Sequence, residues 1–186
     1  MDNFFNIDYF GLWRSARENR LFKKIINAIK SKVSSFAGTQ TAAIGTAFAT
    51  NLVAGDTYLS IALPGRMYSP VYRGMGYSTL NLSRGIEEGG TSMSPLIPWN
   101  PGGTFVISAL GLGIADGNIE NLLYIPLAFA CWTAPLIGIF YAFTGLFSPK
   151  ATDEEREGWK SSGEAIAEFN ADGTPKIVDE DTGTEN

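Results

Sequence analysis

Between positions 33 and 65 the chain carries one side chain charged at neutral pH, Asp56. A carboxylate in so apolar a stretch is costly to keep ionised, and function is the first explanation for such a residue. Asp56 is suited to bind a cation or exchange a proton, and Asn51 adds a neutral carbonyl oxygen beside it. The alternative is local: Gly55-Asp56-Thr57 is also a helix start, where a carboxylate accepts from the first backbone amides. A carboxylate at the tip of a short helix can do both.

The second group lies in Glu87-Glu88-Gly89-Gly90-Thr91-Ser92-Met93-Ser94-Pro95-Leu96-Ile97-Pro98-Trp99-Asn100, which packs oxygen ligands into a backbone that cannot be regular. Pro95, Pro98 and Pro101 each remove a donor and crowd the preceding turn, at about 3 kcal/mol in a helix interior. Unwound carbonyls with the hydroxyls of Thr91, Ser92 and Ser94 can replace the hydration shell of Na+. Half-helix amino ends near Pro95 and Pro101 suit an anionic group. Asn100 before Pro101 is a cap followed by a first-turn proline, so a new half-helix is expected there. Glu87 and Glu88 either exchange a proton or mark the edge of the uncharged run. Trp99 either lines the site or anchors at an interface. The candidate ion- or substrate-binding residues are therefore Asn51, Asp56, Thr91, Ser92, Ser94, Trp99 and Asn100, and the proton-coupling candidates are Asp56, Glu87 and Glu88.

Other chemistry is thin. The chain has no histidine, which removes imidazole triads, imidazole metal sites and His proton shuttles. Its one cysteine, Cys131, cannot form a disulfide framework or a Cys/His metal site. A Ser or Thr hydrolase would have only Asp56 as a base, a poor candidate. No cofactor, structural metal, catalytic residue or nucleic-acid partner is expected, and the chain does not read as an enzyme.

The elements that must hold these residues follow from charge and periodicity. The mean hydropathy of +0.02 averages three unlike regions. All the basic residues of the first third fall between positions 14 and 32, and 11 of the 19 acidic residues fall between 153 and 185. Leu21, Phe22, Ile25, Ile26, Ile29, Val33 and Phe36 recur at helical spacing with lysines largely off the stripe. That is a helix for a membrane surface, or else one for a protein partner. The stretch 37–68 is apolar but broken at 51–56. Its arms, 41–50 and 57–63, are too short to span, so a re-entrant hairpin is expected. Ala42, Gly45 and Ala49 offer a small-residue stripe for close packing in its first arm. Residues 66–88 read as an interfacial loop with a short helix or turn, and 91–114 as a broken helix. Residues 122–147 are uncharged and long enough for a full span, against the alternative of a helix in a large soluble core. No secretory signal peptide is expected in 1–12.

The expected fold class is thus an all-α membrane protein with an amphipathic surface helix, a re-entrant hairpin, a broken helix and one full transmembrane helix. Three regions follow: 1–36 basic and interfacial, 37–148 the membrane transport region, and 149–186 an acidic, mostly disordered tail.

Two stretches carry a family resemblance. Gly55-Asp56-Thr57-Tyr58-Leu59-Ser60-Ile61-Ala62-Leu63-Pro64-Gly65-Arg66-Met67-Tyr68 resembles the GDQYLSI-x-LPGRMF segment of NhaC-type sodium/proton antiporters. Leu82-Ser83-Arg84, Glu87-Glu88-Gly89-Gly90-Thr91 and Ser94-Pro95-Leu96-Ile97-Pro98-Trp99-Asn100 are similar to their LSR-x-x-ED-[SA]-GT-x-x-SPLIPWN segment. The likeness runs over about 21–147. It implies part of an inverted-repeat transporter, with the hairpin and the discontinuous helix meeting at a midplane site. It implies exchange of Na+ for H+ across a bacterial inner membrane, and in some relatives exchange of organic acid anions such as malate and lactate. Glu88 stands where Asp is usual, Gly85 where Thr or Ala is usual, and Pro101-Gly102 where Thr-Cys is common, which leaves stoichiometry and substrate open. Family members are more than twice this long, with about ten or more spans. The resemblance therefore implies a carboxy-terminal portion, partnered by the lipid bilayer and by a missing amino-terminal half or a second copy. The competing reading is a membrane-anchored interaction module, or an inactive fragment.

Overall fold

The computed structural model describes residues 35–112, 122–164 and 166–169. The basic amphipathic helix expected before position 35 lies outside the described residues, as do 113–121 and 170–186.

Helix α1 (Phe36–Ala54) opens on Ser35, whose Oγ accepts from the Gly38 amide at 3.2 Å. It ends at Gly55, which takes the left-handed conformation, φ 62°, that a residue with a Cβ rarely adopts. The Gly55 amide returns to the Asn51 carbonyl at 2.9 Å. Two residues later α2 (Thr57–Gly74) begins, capped by Asp56, and packs against α1. The arms exceed the expected 41–50 and 57–63 because neither supposed breaker breaks them. Asn51 is fully buried with its side chain bonded outward, and Pro64 and Pro70 are carried inside α2. Pro64 is fully buried, and Leu63, Tyr68, Val71 and Tyr72 of the same helix are buried too, so packing offsets the lost donor.

Next comes α3 (Thr79–Ile86), continued by a π-helical turn (Glu87–Thr91) and a 3-10 turn (Ser94–Leu96). The expected interfacial loop over 66–88 is therefore largely helix, and α3 packs against both α1 and α2. Ala43 and Ala47 of α1, Tyr68 and Tyr72 of α2, and Leu82 and Ile86 of α3 form the core. Small residues set its spacing. A Cβ on Gly85 would overlap the Gln40 amide, and one on Gly89 would overlap the Ile44 carbonyl. The α1 stripe that packs is thus Gln40, Ala43, Ile44 and Ala47; Gly45 and Ala49 are exposed instead. A buried polar chain ties the same helices: Tyr72 donates to Gln40 Oε1, and Gln40 Nε2 donates to the Asn81 carbonyl at 3.1 Å.

Helix α4 (Pro101–Ala109) follows the break, as the Asn100-Pro101 pair requires. The full span expected over 122–147 is instead two pieces, α5 (Tyr124–Leu127) and α6 (Phe129–Thr144). Pro126 cannot donate to Leu122, and Ala128 leaves the helical region with ψ 61°. The Ile125 carbonyl is then taken by Trp132 Nε1 at 2.9 Å. Among the described residues no helix is long and apolar enough to cross a membrane, and no strand forms beyond an isolated Tyr77–Lys150 bridge.

Within 149–186, which reads from sequence as an acidic, mostly disordered tail, residues 153–161 form a helix. Helix α7 (Asp153–Ser161) has a Thr152 cap and three acidic residues in its first turn, favourable to the helix dipole, and buries Trp159.

Candidate functional site

The ends of three elements converge: the last turn of α1 brings Asn51, the first residue of α2 brings Thr57, and the bend before α4 brings Ser94 and Asn100. Each is placed by local chemistry. Asp56 Oδ1 accepts from the Leu59 amide at 2.9 Å and starts α2. Asn100 Oδ1 accepts from the Gly102 amide at 2.9 Å and starts α4 with Pro101 in the first turn.

Asn100 Nδ2 donates to Asn51 Oδ1, and Ser94 Oγ donates to Asn100 Oδ1. Thr57 Oγ1 lies 3.2 Å from Asn100 Oδ1 and 3.1 Å from Ser94 Oγ. Asn51 Nδ2 donates to the Gly90 carbonyl at 2.6 Å, which brings the π turn into the group. Asn51 and Asn100 are fully inaccessible and Ser94 is 4 % exposed. Glycines permit the approach: a Cβ on Gly102 would overlap Ser94 Oγ, and one on Gly103 the Ile97 carbonyl.

Of the residues singled out by sequence, Asn51, Ser94 and Asn100 come together. Asp56 adjoins them through Thr57, and its Oδ1 serves as the cap. Thr91 is exposed, and Ser92 is half-buried with its amide on the Glu87 carbonyl at 2.9 Å. Trp99 is exposed over its ring, and its Nε1 donates to the Leu52 carbonyl at 2.9 Å, fastening the bend to the α1–α2 tip. Glu87 is exposed. Glu88 turns towards α6: Oε1 is 3.5 Å from Arg84 Nε, and Oε2 is buried against Gly138, where any Cβ would overlap it. Two members of the group were missed by sequence, Thr57 and the Gly90 carbonyl. The signal for Thr57 was its place directly after a capping Asp, where a first-turn hydroxyl shares the cap's surroundings.

Two amides, two hydroxyls and a peptide carbonyl at broken helix ends form a neutral oxygen cluster with a carboxylate next in sequence. Its oxygens are held by hydrogen bonds within the cluster, and they are of the kind that can replace the hydration of a small, hard cation. Among the described residues no group of acidic or Cys side chains could hold a metal ion.

Helix breaks thus face one another across a buried polar cluster in an all-helical chain. The model of the Na+/H+ antiporter family matches residues 16–146, and the chain belongs to that family. It is 34% identical over 126 residues to the Na+/H+ antiporter NhaC of Alkalihalophilus pseudofirmus, covering 68% of this chain and 25% of that protein. It is 36% identical over 123 residues to the NhaC of Bacillus subtilis, covering 66% of this chain and 25% of the relative. The arginine/ornithine antiporter ArcD of Halobacterium salinarum is 32% identical over 133 residues, covering 69% of this chain and 26% of that antiporter. The chain thus spans about a quarter of the length of these relatives. No solved structure matches.

Proposed function

We propose that the chain forms the carboxy-terminal part of a multi-pass secondary antiporter of the bacterial inner membrane that exchanges Na+ against H+. The observation that carries this reading is the meeting of Asn51, Thr57, Ser94 and Asn100 at the α1–α2 tip and the α4 break. In this reading α1 and α2 form a re-entrant hairpin with Gly55 and Asp56 at its tip. Neutral oxygens of the cluster take the place of Na+ hydration, and Asp56 supplies the negative charge. Thr91, Ser92 and Trp99 line the approach, and Asp56, Glu87 and Glu88 are the groups that exchange the proton. The amino end of α4 suits an organic anion as an alternative substrate, in keeping with a Bacillus subtilis relative named as a malate/lactate antiporter. The rest of the site comes from an amino-terminal half or a second copy, and the bilayer covers the apolar faces of α4 and α6. No covalent step is required of any residue, so the protein is not an enzyme.

The test is proton flux in everted vesicles from antiporter-deficient cells, with this chain produced alone or together with the amino-terminal region of the Bacillus subtilis relative. Na+-dependent flux is expected only from the pair, and it should vanish in Asn51→Ala. The quarter-length match favours a second reading, an inactive fragment or a membrane-anchored interaction module. Membrane insertion without flux in either arm decides for that reading.

A further inference from the structure

The family match ends at residue 146, yet the chain beyond it folds back onto the matched region. Its attachment is at the elbow between α2 and α3, far from the oxygen cluster. Glu155 Oε1 accepts from Ser78 Oγ at 2.8 Å, from the Thr79 amide at 3.3 Å and from Thr79 Oγ1 at 3.4 Å, so a carboxylate from α7 sits on the start of α3. Backbone bonds flank it. The Ser78 amide reaches the Pro149 carbonyl at 3.2 Å, the Ala151 amide reaches the Gly76 carbonyl at 3.0 Å, and the Ala167 amide reaches the Pro70 carbonyl at 2.9 Å. Asn81 Nδ2 also donates to the Pro149 carbonyl at 2.9 Å. Arg73, in the last turn of α2, pairs with Glu164 and lies 5.8 Å from the centre of the Trp159 ring. Trp159 itself is 7 % exposed.

We propose that residues 149–164 and 166–169 are an intramolecular strap that restrains α2 and, through it, the Thr57 end of the oxygen cluster. The mechanical argument is short. The strap holds one end of α2 through Pro70 and Arg73, and Thr57 at the other end touches Asn100 and Ser94. Helix α2 has 18 residues, roughly 27 Å at 1.5 Å per residue, and it is packed along its length by Ser60, Leu63, Tyr68, Val71 and Tyr72. A packed helix transmits a displacement of one end as a rigid body more readily than it deforms. A strap that engages and releases therefore sets how freely the tip of α2 moves against the bend at Asn100. The clamp combines one buried aromatic ring with acid-to-hydroxyl and acid-to-guanidinium contacts. It rests on the fold alone and stands whether or not the exchange reading holds.

The experiment is amide hydrogen exchange on the full chain in lipid nanodiscs, comparing wild type with Trp159→Ala and with Glu155→Gln. Release of the strap should speed exchange about tenfold at the elbow, residues 75–81, and also at the Leu59 and Ser60 amides of the distant tip. Glu155→Asp, which keeps the carboxylate, should restore protection partly at both places. Faster exchange at the elbow with the Leu59 and Ser60 amides unchanged would overturn the coupling. So would protection at both places unaltered by either substitution. Should Trp159→Ala unfold the chain, Glu155→Gln, which keeps the ring in place, decides between these outcomes.

Discussion

Asn100 Nδ2 donates to Asn51 Oδ1 across 49 residues of chain, joining the last turn of one helix to the cap of another. Both amides are fully buried, so each is the other's replacement for water. The contact makes two separable demands on Asn100: its Oδ1 caps α4, while its Nδ2 reaches α1.

Those demands can be split by substitution. Asn100→Ser should keep most of the cap yet strand Asn51 Oδ1, costing about 1–3 kcal/mol for the unsatisfied buried acceptor. Asn100→Ala should lose the cap as well, about 1 kcal/mol more. Both variants should melt below wild type, Asn100→Ala the lower; wild-type melting of Asn100→Ser would mean the bond to Asn51 contributes nothing, and equal melting of the two variants that the cap contributes nothing.

Asp56→Asn isolates charge from capping. Asparagine caps as well as aspartate, so helix content and thermal stability should match wild type. Na+-dependent proton flux in the complemented vesicles should be lost. Full flux in Asp56→Asn would reduce the residue to its cap and leave the neutral oxygens as the site.

Helix spacing gives a paired prediction. Gly89→Ala drives a Cβ into the Ile44 carbonyl, which cannot swing aside, and should destabilise by about 1–3 kcal/mol. Gly45→Ala meets nothing within 4 Å and should stabilise α1 by up to about 1 kcal/mol, since alanine is the better helix former. Chemical denaturation in detergent checks both signs.

Sidedness tests the hairpin. In the proposed reading a re-entrant α1–α2 pair adds no crossing and the segments 91–114 and 122–147 add one each, so reporters fused before Leu21 and after Lys150 should be active in the same compartment. Activity on opposite sides would make α1–α2 a crossing element and remove Asp56 from a re-entrant tip.

What sequence showed and what it hid divide along locality. The α4 start was legible because Asn100-Pro101 is a signal complete in two residues, and the Asp56 cap because Gly55-Asp56-Thr57 is complete in three. The lengths of α1 and α2 were not. Asn51 looks like a breaker until its amide finds Gly90 and Asn100, and Pro64 until it is buried. The hydropathy of 122–147 hid the break at Ala128, because an apolar run records no backbone angle. The fold of 149–161 rested on Trp159, one aromatic ring among acids, whose partner Arg73 is 86 residues earlier. Of the residues singled out, Asn51, Ser94 and Asn100 lie together in the fold. Thr91, which ends the π-helical turn, and Ser92, which follows it, were named by residue type, and neither hydrogen-bonds into that group.

That turn, Glu87–Thr91, winds with one residue more than an α-helix would use. Each residue advances a helix by about 100°, so the surplus rotates everything after it by that amount. Delete a single glycine here and a regular helix can close. The Gly90 carbonyl would leave Asn51, and the Ser94–Asn100 bend would swing a quarter-turn off the α1–α2 tip. A one-residue frame is thus written into the protein at this point. Relatives that keep the pairing of the two asparagines should show no length variation between α3 and α4, however freely the residues themselves change.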